Sequence, residues 1–141
     1  MKILVPLDGS ASANRAVDQV IAVSSMLKDV PQIFLLNVQW NIASGNVKLF
    51  INQQTINDYY REQGMAALAS ARKKLDAAGL AYTYHISIGT PAEAIVQYAQ
   101  EQQADQITMG AHGQGTLSTL LLGSVVSKVM HLATMPVLLV K

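Results

Sequence analysis

Five short apolar runs, each separated from the next by a helix-length segment, leave this chain few folds to choose from. Lys2 to Leu7 reads KILVPL, Ile33 to Val38 IFLLNV, Ala81 to Ile88 AYTYHISI, Gln106 to Gly110 QITMG and Pro136 to Lys141 PVLLVK. The first run is apolar without alternation, as in a strand covered on both faces, and the third alternates. Between the first two, Ser10 or Ser12 can cap a helix on which Ala13, Ala16, Val17, Val20, Ile21 and Leu27 recur at helical spacing. Thr55 with Asp58 gives a box-like start to a long helix bearing Tyr60, Leu68, Ala71, Leu75 and Ala78 on one face, with Gly79 as its left-handed stop. In GTPAEAIVQYA, Thr90 reads as cap, Pro91 as first helical residue and Glu93 as the side chain reaching back. GSVVSKVMHLA, from Gly123, is the fourth helix. Each crossover is long enough to return parallel. The pattern therefore predicts one α/β domain over residues 1–141, an open five-stranded parallel sheet with four helices on both faces. Gln39 to Gln54 shows no period, and Asn41 to Gln54 reads as a lid or a partner surface.

Half of the 141 residues are hydrophobic and 13% are charged, which suits one filled core and argues against disorder. Net charge is +1 and the ten Lys and Arg are scattered. The densest basic run, Arg72 to Lys74, reads as a solvated helix face, so no nucleic-acid surface is expected. With no cysteine there are no disulfides or thiolate metal sites. The opening MKILVPLDG does not read as a signal peptide, and no apolar run approaches the ~18 residues of a membrane span. A soluble cytoplasmic protein is expected.

Open parallel sheets take ligands beyond the carboxyl ends of their strands, where chain order reverses. Those ends deliver Pro6-Leu7-Asp8-Gly9, Asn37-Val38-Gln39 and Met109-Gly110-Ala111-His112-Gly113. The glycines downstream are not a P-loop: Gly110 and Gly115 have its spacing, but Thr116 stands where lysine should. Nor are they a Rossmann fingerprint, which follows a first strand and leads straight into its helix. What remains is G-x2-G-x9-G-S, formed by Gly110, Gly113, Gly123 and Ser124. Glycines there let backbone amides approach an anion, and Gly123-Ser124 opens a helix whose free N–H groups favour one.

With ILVPLDGS at its start, GTPAEAIVQYA in its middle, ITMGAHG and LLLGSVVSKVMHLATMPVLLVK at its end, the chain resembles the universal stress protein family, in its ATP-binding branch, along its whole length. The resemblance implies an adenine nucleotide alpha hydrolase-like fold with strand order 3-2-1-4-5 and a cytoplasmic location. It implies ATP (or AMP or ADP) as ligand, with Mg2+ arriving on the phosphates, and a stress-response or signalling role with an unidentified regulatory partner. By position, Asp8 would bind the ribose or adenine side, and Pro6, Leu7 and Val38 would shape the base pocket. Met109, Gly110, His112, Gly113, Gly123, Ser124 and Val125 would line the ribose and phosphates. Val126 stands where the family often carries a small hydroxyl or alanine, so one phosphate contact is missing, with Ser127 a poorly placed substitute.

Blander readings stand beside these. Asp8 reads as a helix cap or a ligand contact, His112 as an exposed loop residue or a ligand neighbour, and Lys128 as a phosphate contact or a solvated lysine. His85 and His131 have no carboxylate partners in register, so no protein metal site is expected. The six methionines and five tyrosines are expected mostly on buried faces. No Arg or Lys stands in the glycine loop before Lys128, whereas phosphoryl transfer is accelerated mainly by cations. The expectation is binding with at most slow ATP hydrolysis. An adenylating ATP pyrophosphatase would need an S-G-G-x-D-S-type loop where this chain has PLDGSAS. A receiver domain would need a cluster of acids where Asp8 stands alone, and a member that binds no nucleotide would not need the glycines. PVLLVK should be an edge strand, and an antiparallel homodimer through residues 136–140 would cover it.

Overall fold

The computed structural model describes residues 1–42, 50–114 and 121–141. Gly115, Thr116 and residues 43–49 of the aperiodic segment lie outside the described residues. The elements are β1 (Lys2–Pro6), α1 (Ala11–Ser24), β2 (Gln32–Gln39), α2 (Gln53–Ala77), β3 (Tyr82–Ile88), α3 (Pro91–Glu101), β4 (Gln106–Gly110), α4 (Ser124–Leu132) and β5 (Val137–Val140). The strands form one five-stranded sheet in the order β3-β2-β1-β4-β5, with every neighbouring pair parallel. The expected architecture and strand order are those observed.

The central position of β1 explains its unbroken apolar run. Ile3, Val5 and Leu7 pack on one face with Ala16, Val17 and Val20 of α1 and Leu68, Ala71 and Leu75 of α2. Leu4 packs on the other face with Ile95, Val96 and Ala99 of α3 and Val126 and Val129 of α4. Ile3, Leu4 and Val5 are at most 1% exposed, and full burial of such a side chain contributes roughly 1.5–3 kcal/mol. The edge strand β3 has no such double cover, and Thr83, Tyr84 and His85 lie exposed.

Local details depart from expectation at several points. Ser10, not Ser12, caps α1, its Oγ accepting from the Ala13 N–H at 3.1 Å. Leu27 lies beyond that helix and is 38% exposed. α2 starts before Thr55: Asn52 is its cap, accepting from the Thr55 N–H at 2.8 Å, while Asp58 accepts from Gln54 Nε2. An amide oxygen on an extended residue is a stronger cap than threonine, and it wins. Gly79 does end α2, at φ +67°, and Ala78 is exposed rather than on the buried face. At α3, Thr90 and Pro91 hold the expected positions, but Thr90 makes no side-chain cap bond. The methionines and tyrosines were misjudged: Met1, Met26, Met130, Tyr59 and Tyr84 are exposed, and only Met109 and Tyr60 are buried. Apolar periodicity does not distinguish a flexible residue in the core from one at its margin.

Candidate functional site

β1 carries β2 on one side and β4 on the other, and the chain reverses direction across the sheet between them. Ile3 is level with Gln106 and Leu4 with Ile107, so both strands end together. Beyond those ends opens a cleft of about 430 Å³. Pro6, Leu7 and Asp8 reach it from β1, Val38 from β2, and Met109, Gly110, His112 and Gly113 from β4 and its exit. Gly123, Ser124, Val125 and Val126 close it with the first turn of α4. Twelve residues singled out from the sequence thus meet in one cavity.

The loops leaving β1 and β4 are clasped together. Asp8 accepts from the Ser10 N–H through Oδ1 and from the Gln114 N–H through Oδ2, both at 2.9 Å. Gln114 Nε2 donates in return to the Asp8 carbonyl at 2.7 Å. Asp8 therefore does not cap α1, a role taken by Ser10. The His112 N–H donates to Ser12 Oγ at 3.3 Å, while its Nδ1 is buried and has no partner among the described residues. A group entering the cleft can supply that partner.

The three glycines differ in what demands them. A Cβ on Gly110 would lie 2.5 Å from the Ser12 backbone carbon and 2.7 Å from the Ala13 nitrogen. Its absent side chain lets β4 end against the first turn of α1, a packing reason that the anion argument missed. A Cβ on Gly113 would meet Asp8 Oδ2 at 2.9 Å. At Gly123 the nearest atom is 3.5 Å away, so a Cβ there would make only ordinary contacts and the packing does not demand a glycine. Gly123 is extended, at φ −61° and ψ 151°, and its N–H donates to the Ala111 carbonyl at 3.1 Å. The next three N–H groups, of Ser124, Val125 and Val126, have no carbonyl one turn back within α4. The Val126 side chain is apolar and packed in the core, so any hydrogen bond that residue offers the cleft comes from its backbone.

No lysine or arginine lines the cleft among the described residues. Lys128 is bound instead to Glu93, which is also why Glu93 does not reach back over the start of α3. The Lys128 hydrogen bond, with help from Glu93's own backbone N–H, holds the Glu93 carboxyl below its ordinary range. Ser127 is exposed and outside the cleft. His85 stacks on Tyr98 at 5.1 Å between ring centroids, and burial, with Glu101 nearby, pushes the Tyr98 phenol up. His131 is exposed on α4.

Sequence reasoning missed Ala13, Leu36, Trp40, Pro91, Ile95 and Gln114, all of which line the cleft, and named Asn37 and Gln39 only as exits of β2. The signal for Pro91 and Ile95 was present: a helix that starts where β3 ends, beside β2, opens its first turn toward the same crevice. Nothing local marked Gln114, whose role comes from its reach back to Asp8.

A crevice at the switch point of a parallel sheet, closed by a helix start and bare of cations among the described residues, defines an open doubly wound α/β protein with a ligand-sized cleft. The sequence profile of the universal stress protein family matches residues 1–141, and the chain belongs to that family. It is 32% identical to universal stress protein MJ0531 of Methanocaldococcus jannaschii over 99% of this chain and 81% of that one. The solved structure of the hypothetical protein MJ0577 superposes with a TM-score of 0.85 at 31% identity, covering 99% of this chain and 94% of the other. A universal stress protein in complex with cAMP superposes with a TM-score of 0.72 at 25% identity, covering 100% and 97%. No helix among the described residues is long and apolar enough to cross a membrane.

Proposed function

We propose that the chain binds an adenine nucleotide, ATP with Mg2+ carried on its phosphates, in the cleft between β1, β4 and α4. It acts as a sensing or regulatory module of a cytoplasmic stress response rather than as a catalyst. The observation that carries this reading is the first turn of α4, with its free N–H groups, facing the switch point across a ligand-sized cleft. The orphaned Nδ1 of His112 adds a polar group in want of a partner. A family relative of the same fold is described in complex with cAMP, which shares the base, sugar and phosphate of such a ligand. Asp8 is the sole carboxylate among the described lining residues, and both its oxygens are engaged, so Mg2+ would be held by phosphates and water.

Fast hydrolysis is not expected, because a transferring phosphoryl group needs positive charge beside it and the described lining residues supply none. β5 ends the sheet with a half-buried apolar strand, and we propose that a second copy pairs with it, residues 136–140 against their twins. Purified protein should release adenine nucleotide on denaturation, or bind Mg-ATP in equilibrium dialysis. Empty protein with no binding and no thermal shift in Mg-ATP would overturn the reading. Turnover of about 1 per second or faster would move the chain to the enzymes.

A further inference from the structure

We infer that Gln39 selects the base, presenting a fixed carbonyl oxygen that favours a purine with an exocyclic amino group over one with a carbonyl in its place. The inference rests on the nucleotide reading above and assigns the base specificity of that same cleft.

A chain of amide contacts fixes the orientation of Gln39. The Leu7 backbone carbonyl can only accept, so the Asn37 side chain must turn its nitrogen toward it, and Nδ2 donates at 2.7 Å. Asn37 is 3% exposed, so the flipped amide would place oxygen against oxygen with no water to relieve it. Its Oδ1 is thereby left as an acceptor, and Gln39 Nε2 donates to it at 2.6 Å. Gln39 inherits its orientation from Leu7 through Asn37. Its own Oε1 accepts no hydrogen bond among the described residues.

The backbone beneath is equally fixed. Gln39 is the last residue of β2, level with Ile88, and its main-chain carbonyl accepts from the Gly89 N–H at 2.9 Å. Gln39 lines the cleft beside Trp40, a residue 62% exposed whose indole is a flat apolar surface for a base. An amide that could rotate freely would serve either base, presenting nitrogen to one and oxygen to the other. Pinned through one N–H, the amide holds its oxygen in one place, and a group lying against that oxygen must donate to it. A 6-amino group donates to it; a 6-oxo group would set oxygen against oxygen.

The test compares ATP with ITP, which carries a carbonyl where ATP carries the amino group, by titration calorimetry on the intact chain. Fluorescence of Trp40, the one tryptophan in the sequence, gives an independent readout in the cleft. The wild-type protein should prefer ATP by about tenfold or more, and Gln39→Leu should weaken ATP and bring the two within about threefold. Far-UV circular dichroism checks the fold of that variant, with Gln39→Met as a second apolar replacement. Equal binding of ATP and ITP by the wild type, or full preference retained in both variants, overturns the role of Gln39 and leaves nucleotide binding standing. Failure of both nucleotides to bind the wild type overturns the nucleotide reading and this inference with it.

Discussion

Gly110 and Ser12 touch so closely that the end of β4 and the first turn of α1 leave no space for a methyl group between them. Gly123, in the same motif, would take a Cβ in ordinary contact with Gly113, His112 and Val126, at 3.5 Å or more. One glycine is required by packing, and the other is not.

The two substitutions should therefore separate. Gly110→Ala forces backbone apart and should lower stability by about 1–3 kcal/mol, read from urea midpoints at constant m-value. Gly123→Ala should stay within about 1 kcal/mol of the parent, while Gly123→Val should lose most Mg-ATP binding yet remain folded. Equal stability losses at Gly110 and Gly123 would contradict this division.

The Asp8–Gln114 clasp gives a second expectation. Gln114→Ala removes one hydrogen bond at an exposed site and should cost about 0.5–1.5 kcal/mol or less. Amide exchange should rise at residues 112–114 and leave β1 and β4 protected. Uniform deprotection across the sheet would show that the clasp supports the fold rather than the loop.

Because Lys128 is held by Glu93, Lys128→Ala should leave ATP affinity within about threefold. A tenfold loss would place its ammonium on the phosphates. The pair also predicts an acid-side signature. Glu93 has a lowered folded pKa, so its contribution is present above the ordinary carboxylate pKa and is lost as pH falls through the lower folded value. Unfolding midpoints measured from about pH 7 down to about pH 3 should fall less steeply in Glu93→Gln than in the parent. Parallel slopes would remove the pair from the balance.

Leu138, 39% exposed on the terminal strand, supplies the test of self-association. In an antiparallel pair of β5 strands, Leu138→Asp sets like charges near one another and should turn a dimer into a monomer by light scattering. A parent that is monomeric at micromolar concentration would contradict the proposed pairing.

The fold was legible because its strongest signals are local. KILVPL could only be a strand covered twice, and Gly79 only a stop. The start of α2 was misplaced because Asn52 stands at the edge of a stretch with no period, so no register pointed to it. Thr90, Pro91 and Glu93 form the right pattern for a reciprocal cap. Lys128 lies 35 positions away and offers Glu93 a charged partner instead. The site was legible wherever a residue leaves a strand end, as with Asp8, Val38 and Met109. Trp40 and Gln114 were not, since their roles depend on how separate loops meet in space. The spacing located Gly110 in the cleft lining and missed its packing cause, because a glycine demanded by a neighbouring helix looks the same in sequence as one demanded by a ligand.

α4 begins at the cleft and runs almost directly into the outermost strand. Its nine residues make a rod about 13 Å long. A tug on its leading turn is thereby delivered to the margin where a second molecule would attach, with no intervening joint except Ala133 to Pro136. On the proposed reading, occupancy of the cleft and pairing at β5 would bear on the same helix, and a change made in α4 would be felt at both.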